Sequence, residues 1–244
     1  MANRFQIIAL TTLLLQSSFS DAASLQLRID AAEGGRQSQT NITALEQYLG
    51  GLGCDVGVMG EDSTDKADLF FNTRPVTQAL ENGYRRLVAP ATWQDYPLTT
   101  TLLIKSSTGI SEAQSIAGER IAFVSEHAYI GRTLSLQWLS EHKVEVSPES
   151  EYLTGDYQGS MTMLLHGDVF SAAIAGPLAH RWAEANDLTL LYESEPQDIG
   201  YIWISKAVSS ARQHRCQLAF QGLQRESRRD KRMRLFPLWL EGFR

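Results

Sequence analysis

Residues 118–144 read GERIAFVSEHAYIGRTLSLQWLSEHKV. The apolar run Ile121, Ala122, Phe123, Val124 is too short for a helix and reads as a buried strand. Ser125, Glu126 and His127 make a polar turn. Leu134, Trp138 and Leu139 then recur at helical spacing, with Ser135, Gln137 and Ser140 between them. Strand, short loop and helix form half of a parallel crossover unit, in which ligands sit at the carboxyl end of the strand. The unpaired N–H groups and positive dipole end of the helix point at the same spot. Residues 125–132 are therefore the first candidates for contact with a ligand.

Working outward, strands and helices alternate. Residues 24–29 (SLQLRI) read as a strand, and Glu33-Gly34-Gly35 as a turn. A helix capped by Ser38 or Thr40 runs through Leu45, Tyr48 and Leu49 and ends at Gly50, Gly51 and Gly53. Short strands follow at 55–59, 68–71 and 86–89, with a helix over 76–80. This order implies an α/β fold with mainly parallel sheets. Residues 98–105 (LTTTLLIK) and 200–205 (GYIWIS) are rich in β-branched and aromatic residues, as strands are. They bracket a block with its own α/β order: a helix at 111–116, the central strand and helix, a strand at 152–153, a helix at 160–165, a strand at 170–175, a helix at 178–185 and a strand at 189–192. The expected architecture is two lobes joined by a two-strand hinge. Residues 24–104 with 200–244 form lobe one, 105–199 form lobe two, and the final stretch 209–244 is helical.

The chain has 244 residues, 43% hydrophobic and 20% charged, enough for one large domain or two small ones. Residues 1–23 have the pattern of a secretory signal: a basic start, an apolar stretch over 5–15 and small residues before a cleavage point near Ala23. No later segment is apolar enough to span a bilayer, so the mature protein is expected to act outside the cytoplasm. The net charge of −6 argues against nucleic acid as a partner. Eight basic and two acidic residues between 209 and 234 read as a solvated helix face, with a patch for a partner or an anionic membrane as the alternative. Cys54 and Cys216 match no metal motif; in an oxidising compartment they make one disulfide or remain two buried thiols. Catalytic signatures are missing: there is no nucleophile elbow, no H-E-x-x-H and no Walker loop.

Several segments carry a resemblance. Residues 111–124 (SEAQSIAGERIAFV), 155–173 (GDYQGSMTMLLHGDVFSAA) and 68–75 are similar to stretches of type II periplasmic solute-binding proteins, and most resemble the phosphonate/phosphite-binding family of ABC importers. The resemblance runs over about residues 25–206. It implies a periplasmic protein that closes two lobes on a small, anionic solute such as a phosphonate, a phosphate-like ion or an organic acid. It also implies a membrane permease as partner, no cofactor, no catalysis and a monomer. An input protein for a membrane sensor kinase, or an enzyme on the same fold, are the alternatives. In that family hydroxyls at the start of the lobe-two helix hold the anion; here Ala128, Tyr129 and Ile130 stand there, flanked by Ser125 and Thr133, and Tyr157 replaces a histidine.

The strand-end loops supply the candidate binding residues. Asn72, Thr73 and Arg74 follow the strand at 68–71 directly, and the planar guanidinium of Arg74 suits a carboxylate or phosphonate. Trp93, Tyr96, Tyr129 and Tyr157 are rings that can enclose the body of a solute. Ser125, His127 and Asp156 add polar groups. Asp30 and Glu33 share the same set of loops.

Overall fold

The computed structural model describes residues 23–60 and 66–244. The expected signal segment therefore falls outside the described residues, apart from Ala23. β1 (Leu25–Ile29) alternates buried and open positions and leads to α1 (Gln39–Gly51), which Ser38 caps by accepting the Asn41 N–H at 3.3 Å. β2 (Val56–Val58), β3 (Leu69–Phe71), α2 (Gln78–Gly83), β4 (Tyr84–Val88) and β5 (Pro90–Thr92) follow. Pro75 and the Thr77 cap delay α2, so the helix expected at 76–80 starts later.

The chain then crosses to a second sheet through β6 (Thr100–Lys105), β7 (Ile121–Phe123), α3 (Leu134–Glu141), β8 (Glu151–Leu153), α4 (Tyr157–His166), β9 (Ser171–Ala175), α5 (Gly176–Asn186) and β10 (Leu188–Glu193). It returns through β11 (Ile202–Ser205), α6 (Ser210–Gln221) and β12 (Leu240–Phe243).

The first sheet has the order β2-β1-β3-β11-β4 and the second β10-β6-β9-β7-β8. β1 pairs parallel with β2 and β3, and β7 pairs parallel with β8 and β9. The strands that carry the chain between the sheets run the other way: β11 is antiparallel to β3 and β4, and β6 to β9 and β10. β9, SAAIA, is buried at every position, and β6 at all but Lys105. Such strands read as continuous apolar runs because helices cover both of their faces. Among the described residues no helix is long and apolar enough to cross a membrane.

Two expectations need correction. The helix expected at 111–116 is a single 3₁₀ turn, Ala113–Ile116, held by the buried Ala113 and Ile116 and stopped by Gly118 in the left-handed region (φ 78°). The stretch 209–244 is helical over α6 and in a single 3₁₀ turn, Met233–Leu235. Beyond it the chain turns, and β12 pairs antiparallel with β5. Bulky apolar residues decide this: Phe236, Trp239, Leu240 and Phe243 are buried, and Phe71 meets the rings of Phe236 and Phe243 edge to face at 5.1 and 6.2 Å. Cys54 and Cys216 are bridged, tying the end of α1 to α6 across 162 residues of sequence.

Candidate functional site

The loops after β1, β3, β7 and β8 leave the carboxyl ends of their strands toward one place between the two sheets. A cavity of about 550 Å³ opens there, lined by Arg28, Asp30, Arg74, Ser125 and His127 among others. A neighbouring cavity of about 500 Å³ shares Arg28, Asp30 and Arg74 and adds Lys66, Phe70 and Tyr84. The Arg74 guanidinium donates to the His127 carbonyl at 2.6 Å, so it already reaches from one sheet unit to the other. Ser125 Oγ donates to the Ala32 carbonyl at 2.7 Å, and Arg36 pairs with Asp156.

Asn72 and Thr73 are almost wholly buried; both border the neighbouring cavity beside Arg74 but not the larger one. Asn72 accepts from the Tyr201 N–H and the Trp203 indole and donates to the Arg74 carbonyl, so it fixes the loop that carries Arg74. Thr73 donates to Asp30. Tyr129 is half-buried and donates to Gln197 Oε1 at 3.1 Å; burial raises its pKa. Asp156 caps α4 by accepting the Gly159 N–H at 2.8 Å. Trp93 and Tyr96 are not brought to the cavity. Their turn packs on α5, where the Tyr96 ring lies 4.0 Å from that of His180. Among the described residues no group of three or more His, Cys, Asp or Glu side chains could hold a metal ion.

Glu33, which the sequence places only among the loop residues, has the most constrained chemistry of the set. It is fully buried. The segment before α3 is a wide π turn, Tyr129–Thr133, in which the Thr133 N–H reaches the Ala128 carbonyl. This leaves the first N–H groups of the helix without helical partners. Ile130 N donates to Glu33 Oε1 at 2.7 Å, Gly131 N to Oε2 at 3.2 Å, and the Tyr157 hydroxyl also donates to Oε2. Burial pushes the Glu33 carboxyl up to about 7, against these donors, which favour its charged form. The buried Tyr157 phenol is pushed well above its usual value, first by burial and then by the Glu33 charge. A side chain at position 131 would place its Cβ 2.7 Å from Val124 Cγ2, so glycine is what lets the turn close over the carboxylate.

Comparison with known proteins agrees with this architecture. Residues 61–244 match a family model described as "ABC transporter, phosphonate, periplasmic substrate-binding protein". The chain belongs to this family. Its members are periplasmic substrate-binding proteins. No curated protein matches the chain. Among solved structures, it is similar to PhnD1 from Prochlorococcus marinus in complex with methylphosphonate: 12% identity, 91% of this chain and 92% of that one covered, TM-score 0.58. It is also similar to a binding protein component of an ABC phosphonate transporter from Pseudomonas aeruginosa (11% identity, 91% and 80% covered, TM-score 0.58). XAC2383 from Xanthomonas citri bound to ATP is a third (12% identity, 91% and 90% covered, TM-score 0.57). At these identities the likeness concerns the fold, a mixed α/β type II binding-protein architecture. The residues matched to the phosphonate-binding family begin after the loop that carries Glu33.

Proposed function

We propose that this protein captures a small anionic solute between its two sheet units and presents the closed form to the membrane permease of an ABC importer. The units act as two lobes, moving about the segments that cross between them near residues 89–99 and 194–201. The observation that carries the reading is the cavity between the units, lined by Arg28, Arg74, Ser125 and His127, in a member of a phosphonate-binding family. Arg74 supplies an exposed guanidinium at the carboxyl end of β3, where a charge-assisted pair with a phosphonate, phosphate or carboxylate is geometrically natural. The work of the site is recognition; no residue is assigned a catalytic role.

The test is calorimetric titration of the mature protein with methylphosphonate, phosphite, phosphate and small organic acids. A charge-assisted hydrogen bond contributes about 1.5–3 kcal/mol, so Arg74→Ala is expected to weaken binding roughly 10- to 150-fold. Arg229→Ala, on the exposed basic run far along the chain, serves as the control and leaves affinity unchanged. Arg225 is unsuited to that purpose: it is largely buried and its guanidinium donates to the carbonyls of Met233, Pro237 and Leu240. Equal affinity in Arg74→Ala and the parent would remove Arg74 from the site.

A further inference from the structure

The contacts between the two units at the cleft are of unequal kinds. Arg36–Asp156 is an ion pair whose arginine is 65% exposed, and Arg74 meets the His127 carbonyl at the surface. Exposed pairs of this kind contribute little, and salt screens them. Glu33 differs in every respect. Its carboxylate is carried on the loop after β1, crosses into the other unit and is wholly enclosed there. Both oxygens are satisfied by donors of that unit: the N–H groups of Ile130 and Gly131 and the hydroxyl of Tyr157. A buried carboxylate with such partners makes strong bonds, and leaving it buried without them is costly.

The loop that delivers it is held rigidly from behind. Gly34 N donates to the Ala31 carbonyl at 2.9 Å, Arg36 N to the Arg234 carbonyl at 2.7 Å, and Gln37 Nε2 to the Ile29 carbonyl at 2.9 Å. At Gly35 an added Cβ would stand 2.3 Å from the Leu235 carbonyl oxygen, so this loop is seated directly on the C-terminal segment of its own unit. The result is a plug carried on one unit and a set of donors on the other. Their geometry is that of a ligand and its binding cradle, with the ligand covalently part of the chain.

We propose that Glu33 is an internal ligand: its carboxylate plugs the donor cradle formed by Ile130, Gly131 and Tyr157 and latches the two lobes closed from within. This rests on the two-lobe reading above, since a latch requires lobes that part, and it adds a regulation of that site. Closure is then set by the chain itself, and a solute entering beside Arg74 meets lobes already drawn together. An external anion reaches the cradle only by displacing Glu33.

Removing the carboxylate and returning it as a free molecule tests this. Small-angle X-ray scattering and thermal unfolding are recorded for the parent and for Glu33→Ala, each titrated with sodium formate against sodium chloride at matched ionic strength. The expected result is a larger radius of gyration for Glu33→Ala than for the parent, which formate, but not chloride, reverses together with a saturable rise in Tm; the parent responds to neither. A Glu33→Ala protein as compact as the parent, or one that formate does not restore, overturns the proposal. Should Glu33→Ala not fold, Glu33→Asp takes its place. It keeps the carboxylate but is one methylene too short to meet the N–H groups of Ile130 and Gly131 and the Tyr157 hydroxyl together, so expansion supports the latch and parent-like compactness overturns it. Formate acts here whatever solute the parent takes. A parent that binds no phosphonate would therefore sink the proposed solute and leave this test standing.

Discussion

At Glu33, burial and hydrogen bonding pull in opposite directions, and burial is the larger effect, lifting the carboxyl from about 4.5 in the open chain to about 7. The sign follows directly. A raised folded-state pKa gives stability that is fully present below the unfolded value and is lost as pH rises through the folded one. Between these values the unfolded chain releases a proton that the folded chain keeps, and stability falls by at most about 1.4 kcal/mol per pH unit. Tyr157, the titratable group in contact with Glu33, stays protonated throughout this window. Asp198 and Asp230, whose pKa values are lowered, act only at more acid pH. Urea midpoints measured from about pH 5 to pH 7.5 should therefore decline for the parent and decline less for Glu33→Gln; parallel curves would show that Glu33 does not carry the effect. Gly131→Ala is a second test at this scale. Its Cβ would stand 2.7 Å from Val124 Cγ2 and 3.2 Å from the Tyr157 hydroxyl, an overpacking that costs about 1–3 kcal/mol. An unchanged Tm in that variant would mean that the turn yields freely.

Among the elements, the bridge between the end of α1 and α6 has the clearest energetic consequence. Closing a loop of 162 residues removes about 5 kcal/mol of freedom from the unfolded chain in the chain-entropy model. Reduction, or Cys54→Ala with Cys216→Ala, should lower the urea midpoint markedly, and a midpoint indifferent to reductant would contradict that size. The sequence left this pair open between a bridge and two thiols, since spacing alone carries no distance. The α/β order was legible where strands are short apolar runs set between turn residues, as at 121–124 and 69–71. The C-terminal strand was not. Its neighbour β5 lies some 150 positions earlier, and only the packing of Phe243, Phe236 and Phe71 selects strand over helix. The position of Arg74 beside the cavity could be read from its place directly after β3. The role of Glu33 could not, because its donors lie 97 and 98 residues away and are backbone N–H groups, which every sequence has. The one signal was an acidic residue followed by two glycines, a pattern that permits close approach without saying to what.

For the molecule as a whole, the arrangement separates two kinds of opening. The N–H groups of Ile130 and Gly131 are bonded to Glu33 on the other sheet unit, so on the proposed two-lobe reading they exchange with solvent when the lobes part. The amides inside β7 and β9 belong to a ladder within one buried sheet and exchange only when that sheet unfolds. Native-state hydrogen exchange should thus divide these neighbours, only a few residues apart in sequence, into two classes. The amides of Ile130 and Gly131 should open at a free energy well below that of Ala122 and Phe123, and in Glu33→Ala their protection should fall while that of β7 and β9 holds. Denaturant sharpens the distinction. Parting the lobes would expose only the faces that meet between them, less than the whole fold buries, so the exchange of Ile130 and Gly131 should depend less steeply on urea than that of the strand amides, which should follow global unfolding. If all four amides exchanged with one free energy and one urea slope, the two lobes would be a single cooperative body, and Glu33 would be a core residue in it rather than a latch.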